Sequence, residues 1–300
     1  MPADVGARQR IPGYGHLFGV AYRILGSVHD AEDVVQEGLA RWHALPDDAR
    51  ERVREPLAWL TRVVSRIGLD QLRSARARRE AYTGIWLPEP VVGSPVGAVG
   101  GTGAAPATPE DAVTLDESVS IALLTAMERL TPGERVSLIL HDVFGVPFGE
   151  VADIVGRTPE ACRQLATTAR RNLRSRPRFA PHGAERDHVV RAFARACLDG
   201  DVAALAGVLD PAVVSRSDGG ENVHAARKTI VGASAVAPFL LGVLATASRH
   251  GRVFDSSVEL VNGRSGIVLR EGGLVTGVID LAVTDGKVAE VAIMVNPDKL

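Results

Sequence analysis

The chain has 300 residues, of which 46% are hydrophobic, 23% charged and 4% aromatic, and its net charge is −2. That length holds about two or three domains with real cores, and a near-neutral balance excludes a uniformly basic nucleic-acid coat while leaving room for local basic patches. The two cysteines, Cys162 and Cys197, sit in apolar helical patterns without CxxC spacing, and the histidines form no HExxH pair, so no metal, disulfide or cofactor is expected. No apolar run approaches the length of about twenty needed to cross a membrane and no signal-peptide core is present, which predicts a soluble, cytoplasmic protein away from membranes.

Residues 8–80 read as helix throughout. Leu17, Val20, Ala21 and Ile24 follow helical spacing and Gly26 stops the first helix. A second helix runs from about Asp30 to Ala44, before Pro46. Its start is acidic, with Asp30, Glu32, Asp33 and Glu37 and no basic residue among them. Capping explains acids in the first turn but not Glu37, and an acidic face suits a basic protein partner. A third helix starts near Pro56 and runs through Trp59, Leu60, Val63, Val64, Ile67 and Leu72. Over 62–80 it carries Arg62, Arg66, Arg73, Arg76, Arg78 and Arg79 against Asp70 and Glu80.

Residues 84–110 change character: Gly, Pro and Ala dominate and charge almost vanishes, as in a linker. Within it, Trp86-Leu87-Pro88-Glu89-Pro90 is stiff and apolar. Trp86 either caps the end of the first domain or belongs to something more than spacer.

Helices resume over 115–130, and Thr131-Pro132-Gly133-Glu134 is an N-cap and first turn. A helix over 135–142 precedes two short helices at 147–176 with a tight turn between them. Val151, Ile154 and Val155 stripe the first, Gly156 ends it, and Thr158 and Pro159 open the second. Ala161, Leu165, Ala169 and Leu173 are expected to face inward, leaving Arg163, Gln164, Thr167, Thr168 and Arg171 for a duplex. Between 157 and 178 seven arginines (157, 163, 170, 171, 174, 176, 178) stand against Glu160. This is the layout of a helix-turn-helix. Two basic helical modules on a tether can grip two DNA sites at once.

From 185 the period changes. Helices are expected over 185–198, 202–209 and 232–248, and strands over 212–216, 253–261, 265–271, 273–284 and 287–295. Turns at Asn262-Gly263, Glu271-Gly272-Gly273 and Asp285-Gly286 separate the last four strands. This predicts an α+β domain with a curved antiparallel sheet.

Residues 16–43, HLFGVAYRILGSVHDAEDVVQEGLARWH, resemble region 2 of the bacterial extracytoplasmic-function (ECF) sigma factors. Residues 56–80 resemble the part that melts and reads the −10 promoter element, and 116–176 resemble region 4. The resemblance implies that Asp30, Glu32, Asp33, Gln36 and Glu37 meet RNA polymerase core. It implies −10 contacts by Trp59, Arg62, Arg66, Arg73 and Arg76, and −35 contacts by Arg163, Gln164, Thr167, Thr168 and Arg171. Trp59 also reads well as core. WLPEP at 86–90 and Asn296-Pro297-Asp298-Lys299-Leu300 resemble signatures of the subgroup with a C-terminal SnoaL-like domain. That subgroup also has a D-G-G-G-[KR] loop; here Asp218-Gly219-Gly220-Glu221 reverses the last charge. The resemblance thus implies a regulatory set of Trp86, Leu87, Pro88, Asp218, Gly219, Gly220, Asn296, Pro297 and Asp298, acting in cis without a separate anti-sigma factor.

The expected organisation is region 2 at 8–83, a linker at 84–114, region 4 at 115–178 and a SnoaL-like domain at 184–300: two all-α sigma domains and an α+β cone. The cone's pocket can take a small-molecule ligand. Its candidate acids and bases are Asp218, His224, Asp280 and Asp285, with Asp285 assigned to a turn and Asp280 odd in an apolar strand. No convergent pair can be placed, so no catalytic activity is expected. The alternatives are a ligand-responsive helix-turn-helix regulator and a SnoaL-like enzyme with appended helices.

Overall fold

The computed structural model describes residues 13–80, 82, 84–93, 120–174, 183–221, 223 and 225–300, with the backbone alone at 75–80 and 174. His224 lies outside the described residues, as does the side chain of Arg76. The chain forms two compact units. Among the described residues a helical unit takes in those up to 80 and 126–174, and a tail unit takes in 82–93, 120–125 and 183–300. Residues 84–93, which include the WLPEP island of the linker, fall in the tail unit, and most of regions 2 and 4 share the helical unit.

In the helical unit, α1 (Tyr14–Leu25) ends at Gly26 with φ 71, the left-handed conformation a glycine adopts without strain. α2 (Val28–His43) starts two residues earlier than expected, because Ser27 accepts from the Asp30 amide and is the N-cap. A short α3 (Asp47–Glu51) leads to α4 (Pro56–Glu80). Leu17, Val20, Ile24, Val34, Val64 and Leu69 form the buried core of these helices. Gly38 lets α2 approach α4: a Cβ there would stand 2.8 Å from Val64 Cγ2.

The second half of the unit begins in α5 (Ile121–Met127), followed by α6 (Pro132–Leu138), which opens with the full capping box between Thr131 and Glu134. The expected continuation to 142 becomes a single π-helical turn, Ile139–Val143. α7 (Phe148–Val155), Gly156 at φ 73 and α8 (Pro159–Arg174) form the helix-turn-helix, with Thr158 accepting from the Ala161 amide. The inward stripe of α8 departs from the expected one. Cys162, Ala166 and Ala169 are fully buried, while Ala161 and Leu165 are only half-buried. Small residues at 162, 166 and 169 let α8 lie close to α6 and α7, and close approach rather than bulk decides which face turns in.

Regions 2 and 4 meet through the end of α1. The Arg23 carbonyl belongs to the last turn, where carbonyls have no intrahelical partner, and buried Arg135 of α6 donates to it through Nε at 3.1 Å. Arg135 also pairs with Glu128. The Phe144 ring lies edge-on to His16 at 5.1 Å and under the Arg23 guanidinium at 5.4 Å.

In the tail unit, α9 (Ala184–Asp199) and α10 (Val202–Val208) precede β1 (Leu209–Asp218), β2 (Ile230–Val231), α11 (Ala233–Arg249) and strands β3 (Asp255–Val261), β4 (Arg264–Glu271), β5 (Leu274–Thr284) and β6 (Lys287–Met294). The sheet order is β2-β1-β6-β5-β4-β3. Asn262 and Asp285 adopt φ 52 and 49, each before a glycine at φ 74 and 70, as two-residue hairpin turns require. The expected meander is thus present over β3–β6, but the sheet is mixed: β1 pairs parallel with β6. One face packs on the helices through Val190, Phe193, Leu240, Leu281 and Val291. The other face carries Val261, Val268, Val278 and Met294, and is covered by Leu87 and Ile121.

Candidate functional site

On α2, Asp33, Gln36 and Glu37 are exposed at helical spacing and form one solvent-facing strip. Glu37 pairs with Arg41 at 2.5 Å and Asp33 lies 3.6 Å from His29. Glu32 is half-buried. Asp30 accepts from Gln71 Nε2 of α4 at 2.8 Å, which ties the acidic helix start to the basic helix.

On α4, Arg62, Arg66 and Arg73 are exposed. Arg73 pairs with Asp70 at 2.9 Å, and Arg62 Nε stands 3.8 Å from Glu150 of α7. Trp59 is half-buried and packs on Trp42, with ring centroids 5.3 Å apart and planes at 57°.

On α8, Arg163, Gln164, Thr167 and Arg171 are exposed and Thr168 is half-buried. The Thr167 hydroxyl donates to the Arg163 carbonyl at 2.8 Å, and Arg163 lies over the Phe148 ring at 5.3 Å. Arg170 grips Asp142 with two hydrogen bonds of 2.6 and 2.5 Å, so the π-turn and the second helix of the helix-turn-helix are locked to one another.

The tail unit gathers its signature residues into one knot. Asp218, at the end of β1, is buried with both oxygens saturated. Oδ1 accepts from the Tyr82 hydroxyl at 2.5 Å and the Gly220 amide at 3.1 Å. Oδ2 accepts from the Leu87 amide and from Lys299 Nζ, both at 2.8 Å. Lys299 also donates to the Leu87 carbonyl at 2.7 Å and stands 4.2 Å above the Trp86 ring and 5.2 Å above that of Tyr82. Asn296 donates to the Tyr82 hydroxyl at 3.1 Å and accepts from the Asp298 amide, shaping the 3-10 turn Pro297–Lys299. Burial, and then the Asp218 hydrogen bond, raise the Tyr82 phenol well above its ordinary range.

The glycines of the knot are steric necessities. A Cβ at Gly219 would overlap the Val223 carbonyl oxygen, and one at Gly220, already at φ 64, would stand 2.6 Å from Asn296 Oδ1. The cation that meets Asp218 in this chain is Lys299. Trp86 lies against Lys299 within the tail unit, which replaces the reading of Trp86 as a cap on the first domain. Tyr82 is the member of the knot that sequence reasoning missed, since a lone tyrosine past a basic helix carries no pattern. In the sequence Lys299 stands out only as part of the terminal segment 296–300.

Further along, the segment adds itself to the sheet edge. Val91 and Asn262 exchange backbone and side-chain hydrogen bonds of 2.7 and 2.9 Å, Gly93 donates to the Leu260 carbonyl at 2.8 Å, and Val92 bridges Val261 antiparallel. Leu87, Pro88 and Pro90 are buried. The 260–262 end of edge strand β3 is thereby met, which pairs hydrogen-bonding groups there.

Asp280 has a structural role. It is buried beside Arg186, whose Nη2 stands 3.1 Å from Oδ1 and 2.9 Å from the Ser265 carbonyl. Desolvation pushes the Asp280 carboxyl up, against the pull of Arg186 and Arg264. Asp285 occupies its turn. Among the described residues no group of three or more His, Cys, Asp or Glu could hold a metal, and no helix is long and apolar enough to cross a membrane.

The family models for Sigma-70 region 2 and Sigma-70 region 4 match residues 14–78 and 120–173. The chain is 39% identical over 295 residues to the ECF RNA polymerase sigma factor SigJ of Mycobacterium tuberculosis, covering 95% of this chain and 89% of that one. It is 34% identical over 292 residues to the probable ECF RNA polymerase sigma factor SigI of the same species, covering 95% and 91%. The crystal structure of M. tuberculosis SigJ superposes with a TM-score of 0.73 at 34% identity, covering 95% of this chain and 94% of that one. With near full-length similarity and both sigma regions in order, the chain belongs to the ECF RNA polymerase sigma factors, which direct promoter-specific transcription initiation.

Proposed function

We propose that the tail domain regulates this sigma factor in cis by holding both ends of the segment that joins its two promoter-binding regions. The observation that carries this is the docking of residues 82–93 and of Ile121 on one face of the tail sheet, locked by the Asp218–Lys299 knot. Residues 82–93 follow α4 directly, and Ile121 opens region 4. Fixing both ends removes most of the freedom of a tether that would otherwise set the reach between the grips. The exposed Asp33, Gln36 and Glu37 strip meets RNA polymerase core. Arg66 and Arg73, with Arg62 and Arg76, hold the −10 strand, while Trp59 serves mainly as packing against Trp42. Arg163, Gln164, Thr167 and Arg171 face the −35 element, with Thr168 at its margin. The cone's cavity is a small-molecule site that feeds the same control.

The test is run-off transcription with core polymerase on promoters whose −35 to −10 spacer differs by about one base pair, 3.4 Å of duplex. The full chain is expected to show a sharp spacer optimum, and Trp86→Ala and Lys299→Met a flattened one. An unchanged spacer profile in both folded variants overturns the regulatory reading. Failure of all proteins to initiate with core would overturn the promoter-contact assignments instead.

A further inference from the structure

The tail unit contains a cavity of about 900 Å³ between α9, α11 and the helix-facing side of the sheet. Its floor is a cross-strand row, Ile267, Ile279 and Ile293, set opposite one another by the β4–β5 and β5–β6 registers. Phe193, Phe239 and Phe254 wall it. A space of this size sits at the upper end of small-molecule pockets, about 300–1,000 Å³.

The chemistry of the lining narrows the occupant. Apart from hydroxyls such as Ser217 and Thr276, the only charged side chain among the described lining residues is Arg252. That guanidinium is already taken by Glu271 at 2.8 and 3.0 Å and lies over the Phe254 ring at 4.8 Å. Among the described lining residues an acidic ligand would find no free cation, and a cationic one no free acid. Burial pushes the thiol of Cys197, on the wall, up to about 12, away from the thiolate. The rim is apolar and wet: Leu198, Val243 and Val253 are 68%, 52% and 80% exposed. Apolar side chains grouped at a cavity mouth mark an entry for an apolar molecule.

The cavity also shares a wall with the knot. Pro297 and Leu300 line it, while Asn296 and Lys299 of the same turn hold Tyr82, Asp218 and Trp86. Ser217 lines it too, one residue before Asp218.

We infer that this cavity binds a neutral, predominantly apolar small molecule with at most one hydroxyl or carbonyl group, and that occupancy is coupled to the knot through the turn at 296–300. Binding stands on the cavity alone; the coupling rests on the regulatory reading above. Linkage is reciprocal, so breaking the knot must change ligand affinity by the factor with which the ligand changes the knot.

The experiment is fluorescence titration of the full chain with the neutral probe N-phenyl-1-naphthylamine. Saturable one-to-one binding in the micromolar range is expected. Ala247→Trp, which fills the cavity, and Val243→Glu, which charges its mouth, should each weaken binding about tenfold or more. Val231→Ser, an exposed apolar residue outside the lining, should leave it unchanged. Non-saturable fluorescence, or equal affinity in the Ala247→Trp and Val243→Glu variants, overturns the site. Trp86→Ala, outside the cavity, is expected to shift the probe affinity at least about threefold. An unshifted value overturns the coupling, and because no transcription is read, this result is separable from failure of the spacer test.

Discussion

Lys299 Nζ and Asp218 Oδ2 stand 2.8 Å apart in a place almost closed to water. A pair so buried contributes little over an apolar isostere, but breaking it by one partner strands a charge. Lys299→Met is therefore expected to destabilise the tail unit by about 3 kcal/mol, read by urea denaturation. Asp298→Ala, one residue away and exposed, should stay within about 0.5 kcal/mol of the parent.

Tyr82 makes the same knot sensitive to alkali. Its folded phenol is raised above the ordinary value near 10 by burial and by donation to Asp218. The neutral form is the one the fold holds. Its stabilisation is therefore complete below the unfolded value near 10 and is lost as pH rises through the folded one. Absorbance titration at 295 nm should show a late step that Tyr82→Phe removes. The stability gap between parent and variant should persist at pH 9 and shrink as pH climbs beyond 10.

The Asp280 pair predicts a purely structural loss. Asp280→Ala leaves Arg186 and Arg264 together in the interior without their acid. About 3–5 kcal/mol of tail stability should disappear, measured by denaturant midpoint. Retention of the parent midpoint would contradict the assigned role.

The two basic faces should fail differently. Arg163→Ala is expected to weaken discrimination at one −35 position by about 1–3 kcal/mol, read by run-off on single-base promoter variants. Arg66→Ala should weaken binding evenly across promoters and lower the slope of log K against log salt by about 1.

At pH 8 Cys162 should resist thiol reagents until the chain unfolds, and Cys197, on the cavity wall, should react slowly. Cys162 is fully buried, and burial raises both thiols, that of Cys197 to about 12. Rapid stoichiometric modification of the native chain would contradict this.

Much of the architecture was legible because it rests on local chemistry. Thr131 with Glu134, Thr158, Gly156, and the Asn262 and Asp285 turns announce their elements within four residues, and β3–β6 follow from alternation between those turns. What stayed hidden depends on partners far along the chain. The parallel β1–β6 pairing has no local signature. Nothing local announces that Arg135 is buried and donates to the Arg23 carbonyl, 112 residues away. Trp86, Asp218 and Lys299 were each marked, yet no spacing rule says that a carboxylate at 218 closes on an amine at 299 and an amide at 87. The face of α8 was misjudged at Ala161 and Leu165 because periodicity favours bulk, whereas close helix packing favoured Cys162, Ala166 and Ala169.

The parallel register that sets Asp218 opposite Met294 also closes the longest loop of the sheet. The meander β3–β6 can zip from its hairpin turns, each closing a short loop, whereas β1 must find β6 across most of the domain, the slower, high-contact-order step. Lys299 lies five residues beyond the β6 end of that pairing, and Asp218 at its β1 end. A tail in which β1 is not paired with β6 therefore lacks the Asp218–Lys299 contact that holds Leu87.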